Sequence, residues 1–116
     1  MAKHHDTGKK GEELAVQYLR NKGYGILHTN WRIGHKEIDI IAQIGNELVF
    51  VEVKSRRSLA FGSGDEAIDE RKQKHMQEAA ERYVEQFDLN QEVRFDIITI
   101  FFALGQYEIA HIPGAF

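Results

Sequence analysis

The sequence contains no cysteine. That excludes disulfides and thiolate metal sites, so any bound metal must be held by oxygen or imidazole, and a reducing compartment fits. Proline occurs once, at Pro113 near the end, and neither low-complexity tracts nor internal repeats appear. No apolar run is long enough to cross a bilayer, and the first residues, Met1 to Asp6, lead into a charged stretch rather than a signal core. A cytoplasmic protein without a membrane partner is the expectation. Nor is there an excess of positive charge: 15 Lys and Arg face 18 Asp and Glu, for a formal net charge of -3. This argues against a strongly basic nucleic-acid coat, although one basic face can coexist with an acidic back.

What is present suffices for one core. With 116 residues, 42% of them hydrophobic, the chain can build one globular interior but hardly two, so residues 1–116 read as a single domain. Asp6 and Thr7 can cap a first helix that runs to about Asn21, where Gly23 supplies a stop. In that helix Glu12 lies beside Ala15, Val16 and Leu19 at the edge of the apolar stripe, whereas Glu13 points away. β-Branched and aromatic residues then predict strands near Gly25 to Arg32, Glu37 to Gln43 and Glu47 to Val53. Ser55 to Asp65 reads as a surface loop. A second helix follows with the stripe Ile68, Met76, Ala79, Ala80, Tyr83, Val84 and Phe87. The apolar strand Val93 to Ala103 and a short one, Tyr107 to Ile112, complete the order αβββαββ, an α/β fold with a mixed sheet flanked by helices.

Chemistry enters through the turn Gly45-Asn46. If it is a two-residue turn without a bulge, residues facing each other across the hairpin have numbers that sum to about 91. Asp39 then faces Glu52, Glu37 faces Lys54 and Ile41 faces Phe50, all on one side. Ile38, Ile40, Ala42, Val49, Val51 and Val53 line the other. Opposed side chains have Cβ atoms roughly 5 Å apart. Two carboxylates at about 4 Å repel by about 1 kcal/mol in water and about 4 kcal/mol at a protein surface. A shared proton, a cation such as Lys54, or a divalent metal could compensate, and oxygen-only ligation favours Mg²⁺ or Mn²⁺. Lys54 projects from the same face as Glu52 and could orient an attacking water or steady developing charge. Spacing alone leaves open an ordinary exposed charged ladder. Ile41 and Phe50 make the acidic face partly apolar, which favours a cleft.

Lys72 falls within the apolar stripe of the second helix. It either snorkels to solvent or aims its ammonium at the acids or at a phosphate. Arg56, Arg57, Arg71, Lys72 and Lys74 flank the proposed pocket and could hold phosphates without reading sequence. The six histidines show no ligand spacing and are assigned to no metal. Trp31 reads as packing, and Asp96, inside an apolar strand, as a buried hydrogen-bonded acid outside catalysis.

Gly8-x-x-Gly11-Glu12-x-x-Ala15, Gly23-Tyr24, Asn30-x-Arg32, Glu37-Ile38-Asp39, Phe50-Val51-Glu52-Val53-Lys54-x-Arg56, Phe61-Gly62, Lys72-Gln73 and Arg94-Phe95-Asp96 occur in that order along nearly the whole chain. In these segments the chain resembles the YraN-like family of small bacterial proteins, and through it the PD-(D/E)XK nuclease superfamily that includes archaeal Holliday-junction resolvases. The resemblance implies a restriction-endonuclease-like core and a Mg²⁺- or Mn²⁺-dependent endonuclease acting on DNA, with branched or recombination-intermediate DNA as candidate substrates. It implies that Asp39, Glu52 and Lys54 fill the catalytic signature, that Glu12 is the helical acid supporting the metal, and that Lys72 is the basic position of the following helix. Ile38 stands where the superfamily has its proline. A homodimer would give two sites for the two strands of a duplex. The competing expectation is a module that binds nucleic acid without catalysis beside a partner protein; a small-nucleotide enzyme is weaker, since no glycine-rich phosphate cradle occurs.

Overall fold

The computed structural model describes residues 3–57 and 68–116, with side chains from residue 8 onward. The Phe61-Gly62 segment lies outside the described residues. Seven elements follow in the expected order: α1 (Lys3–Asn21), β1 (Gly25–Ile33), β2 (Lys36–Ile44), β3 (Glu47–Arg57), α2 (Glu70–Gln86), β4 (Glu92–Ala103) and β5 (Gln106–Ile112). They build one mixed five-stranded sheet in which spatial order follows chain order. All neighbours are antiparallel except β3 and β4. Parallel neighbours cannot be joined by a hairpin, and α2 lies in the crossover between these two.

Three boundaries differ from expectation. α1 begins at Lys3, so Asp6 and Thr7 lie inside it rather than capping it; no glycine or proline from Lys3 to His5 stops a helix there. β3 continues past Val53 to Arg57, where a loop was expected, because the long apolar β4 offers it a parallel ladder as far as Arg57↔Phe102. α2 starts at Glu70 with Asp69 as its cap, whose carboxylate accepts the Lys72 amide at 2.8 Å. The end of α1 is as read: Gly23 takes a φ of 97°, and the Tyr24 amide reaches back to the Leu19 carbonyl at 3.0 Å.

Each sheet face carries a helix and a core. Ala15 and Leu19 of α1 pack with Ile40, Ala42, Val49, Val51, Ile98 and Ile100. On the other face Met76, Ala79, Ala80 and Tyr83 of α2 pack with Ile38, Ile41, Leu48, Phe50 and Ile97. Trp31 also packs on the α2 side, edge-on to Tyr83 at 5.2 Å. Gly11 is buried where α1 crosses β3. A Cβ there would run into the Ser55 side chain, so glycine allows the close approach that sets the neighbouring Glu12 over the sheet.

A candidate acidic site where two strands part

The β2–β3 hairpin has the expected register, with Ile44↔Glu47, Ala42↔Val49 and Ile41↔Phe50 paired, but pairing stops at Ile40↔Val51. Continued ladder geometry would place the next inward amide, that of Val53, opposite Ile38. Instead the Val53 amide donates to Asp39 Oδ2 at 2.8 Å. The Asp39 carboxylate thus occupies the opening between strands that have begun to part. The expected ladder pairs Asp39–Glu52 and Glu37–Lys54 are both absent; Asp39 meets Glu52 through side chains alone, and Glu37 faces Arg32 at 3.6 Å.

At the same level β1 and β2 both lose their alternation. Their register passes from Thr29↔Ile40 to Trp31↔Ile38, skipping Asn30 and Asp39, and Asn30 has a left-handed φ of 52°. Ile38 therefore packs on the α2 side although Ile40 packs on the α1 side. The expectation that Ile38 shares a face with Ile40 is corrected: strict two-residue periodicity fails where a strand irregularity re-aims side chains. Asn30 also hydrogen-bonds Glu12. Asparagine tolerates left-handed backbone better than most residues, a signal that stands beside the Asn30-x-Arg32 segment.

The two acids are half-buried and interdependent. Burial pushes the Glu52 carboxyl up to about 7; the negative charge of Asp39 adds to this, while Lys72 and Lys54 oppose it. Asp39 is also raised, first by burial, against the pull of the Val53 amide and the Lys72 charge, and Glu52 hydrogen-bonds to it. A hydrogen bond between two carboxyls requires a proton on one of them. Glu12 is raised by burial and by Asp39, against the Asn30 hydrogen bond. Its charge reaches Asp39, so it does look inward as expected.

Of the expected cations, Lys72 reaches the acids, with Nζ 3.5 Å from Glu52 Oε1. This decides against simple snorkelling. The charge of Lys54 also acts on Glu52. Arg56 and Arg57 are exposed at the end of β3. Lys74 is exposed too, and about 200° around the helix from Lys72 it cannot face the same acids.

The donor set suits a hard cation. Asp39 and Glu52 supply oxygen only, and an approaching divalent ion would take the place of the proton the pair shares. Among the described residues no three carboxylate or imidazole groups converge to enclose an ion. Mg²⁺ characteristically takes one or two protein carboxylates and keeps several waters, so the Asp39–Glu52 pair fits it, with Glu12 alongside as added negative charge.

These shifts set the pH dependence of the metal-free protein. A carboxyl raised in the folded state binds its proton more tightly folded than unfolded, so for Glu52 stability falls as pH rises from the ordinary 4.5 through about 7. The metal-free wild type should therefore lose more melting temperature than Glu52→Gln between about pH 5.5 and pH 8. Parallel melting curves for the two proteins would contradict this.

A second polar cluster lies on the α1 side. Asp96 is fully buried. Its carboxylate accepts Arg94 Nε at 2.9 Å, Arg94 Nη2 at 2.8 Å, His111 Nε2 at 2.7 Å and the Gly114 amide at 3.0 Å. Because an ionised carboxylate only accepts, His111 carries a hydrogen on Nε2, and its Nδ1 lies within hydrogen-bond distance of the Tyr18 hydroxyl at 3.1 Å. Arg94 further holds Glu47 and the Tyr24 hydroxyl, each at 2.7 Å. Both Asp96 oxygens are satisfied inside the fold, as expected of a buried, hydrogen-bonded acid. Arg94 lies two residues away on β4 and was part of the Arg94-Phe95-Asp96 segment, whereas His111 and Gly114 come from the β5 end of the chain, where no sequence spacing marked them.

Among the described residues no helix is long and apolar enough to cross a membrane. A model of the family described as "Uncharacterised protein family UPF0102" matches residues 11–100. UPF0102 proteins of Bacteroides thetaiotaomicron, Flavobacterium psychrophilum and Christiangramia forsetii are 48%, 47% and 46% identical over 116 residues. Each alignment covers 100% of this chain and 96%, 98% and 98% of the respective relative.

Proposed function

The chain belongs to the UPF0102 family, and from the geometry of its site we propose that it is a metal-dependent nuclease hydrolysing phosphodiester bonds in DNA. The observation that carries this reading is the half-buried Asp39–Glu52 pair, hydrogen-bonded to each other where β2 and β3 part, with Lys72 and Lys54 acting on Glu52. A fold gains no stability by placing two carboxyls together in a desolvated notch. Such an arrangement is worth keeping where charge must be neutralised and moved during a reaction.

In this reading Asp39 and Glu52 hold the ion, Mg²⁺ or Mn²⁺. When bound, the ion lowers the pKa of a water and neutralises charge on a phosphoryl oxygen. The chain's own residues do the rest. The Val53 amide fixes the Asp39 carboxylate, so its second oxygen is presented in one direction. Lys54 donates a hydrogen bond to the attacking water or to the phosphoryl oxygens as charge builds there. Lys72, which pairs with Glu52 in the free protein, can turn to a substrate phosphate once that charge is otherwise neutralised. Glu12 adds negative charge behind Asp39, which strengthens cation binding.

The test is cleavage of labelled duplex, branched, flapped and single-stranded DNA, with RNA alongside, in Mg²⁺ and in Mn²⁺. Cleavage of at least one DNA form is expected, abolished by chelator and by Asp39→Ala. Inertness on every substrate, together with no calorimetric heat at millimolar Mg²⁺, would instead favour the non-catalytic binding module.

A further inference from the structure

A groove of about 540 Å³ opens beside Asp39 on the α1 side of the sheet, the face away from Lys72. Its walls come from the exposed flank of α1 and from Thr29, Asn30 and Ile40 of β1 and β2. Leu14 and Val16 supply apolar surface, while Lys9, Lys10 and Arg20 supply cations. None of the basic residues read from the sequence as phosphate contacts lines it. Lys9 and Arg20 are eleven positions apart, which on a helix puts them within about 20° of one face and about 16 Å apart along the axis.

The order of charges along this flank is informative. Lys9 and Lys10 come first, Glu12 and Glu13 follow, and Arg20 comes last. Glu12 and Asp39 thus gather at one point of the groove with cations on both sides. An anionic polymer laid along it meets positive charge at each end and, in between, the place where a divalent ion would neutralise the acids. Apolar surface beneath suits sugars and base faces, which a fully paired duplex keeps covered. The size also discriminates. The groove falls within the range of clefts that hold small ligands, about 300–1,000 Å³, which is room for a nucleotide or two but not for a duplex.

We propose that this α1-side groove is a binding channel for a single nucleic-acid strand, with Lys9, Lys10 and Arg20 holding phosphates on either side of Asp39. The proposal rests on the nuclease reading for the strand's destination but not for its binding. It narrows the substrate class to single-stranded DNA or to branched and flapped DNA with a single-stranded arm.

Fluorescence anisotropy of a labelled single-stranded DNA oligonucleotide, in metal-free buffer over a range of salt, tests it. The full chain should bind the single strand at least about ten-fold more tightly than a duplex of the same length. The triple variant Lys9→Ala, Lys10→Ala, Arg20→Ala should weaken that binding by about ten-fold or more and flatten the salt slope by about two, at about 0.7 per phosphate contact. Arg82→Ala, exposed on α2, should leave both unchanged. Unaltered affinity in the triple variant, or preference for duplex, overturns the channel. Because binding is read without metal, the two readings fail separately. Metal-dependent cleavage with an unaffected triple variant sinks the channel alone, whereas the expected binding without any cleavage sinks the nuclease alone.

Discussion

Glu52→Gln is expected to lower phosphodiester cleavage by about 10³-fold or more while leaving the metal-free protein folded and at least as stable as the wild type above pH 7. Glutamine keeps the shape of the side chain but cannot supply a negative oxygen, so the cation loses one of its two carboxylates. It also removes a carboxyl whose burial the fold opposes and which Asp39 repels. Activity and stability should therefore move in opposite directions. The companion variant Lys54→Met separates binding from chemistry. Because the Lys54 charge acts on Glu52, its removal should leave Mg²⁺ binding by calorimetry as tight as in the wild type or tighter, yet lower the cleavage rate by about 10²–10³-fold. If Glu52→Gln still cleaves at near wild-type rate, or Lys54→Met fails to bind metal, the roles assigned to these residues are wrong.

The second large effect concerns stability. Asp96→Ala should destabilise the protein by about 3–5 kcal/mol, because it leaves the Arg94 guanidinium and the His111 Nε2 hydrogen without their acceptor in a buried setting. That is a large share of the roughly 5–15 kcal/mol that holds a domain together. The carboxyl also has a pH signature. Burial alone would raise it, but the His111 and Arg94 hydrogen bonds and the Gly114 amide together hold it below the ordinary 3.8. A depressed acid contributes stability that is complete above its unfolded pKa and lost as pH falls through the folded one. Urea midpoints for wild type and Asp96→Ala, compared from neutral pH down to about pH 3, should therefore converge toward acid. A variant that unfolds within about 1 kcal/mol of the wild type at neutral pH would show that the network can relax around the gap.

How much of this was legible in the sequence varied with the range of the interaction. The hairpin register followed from Gly45-Asn46 alone, because a two-residue turn leaves its strands no freedom to slip. That register puts Asp39 near Glu52, and the motif resemblance names the same residues. The direction of Lys72 was not decidable: position in a helical stripe gives the face of a long side chain but not where its end goes. Lys74 was grouped with it by nearness in sequence, although two residues on a helix point nearly opposite ways. The failed alternation at Asn30 and Asp39 also had no clear sequence mark, since both strands stay apolar on either side of it.

By itself the sequence determined what acts over a few residues. This covers the order αβββαββ, the turns, the two helix stripes and the placing of two acids and a lysine at the centre of a hairpin, because periodicity and turn chemistry need no distant partner. Tertiary structure alone decided that β2 and β3 part at Asp39, that Lys72 comes from a separate helix to Glu52, that Asp96 is closed off by Arg94, His111 and Gly114, and that α1 leaves a groove along the sheet. Those features depend on how far the chain must fold back to bring remote groups together, and packing, not local pattern, sets that distance.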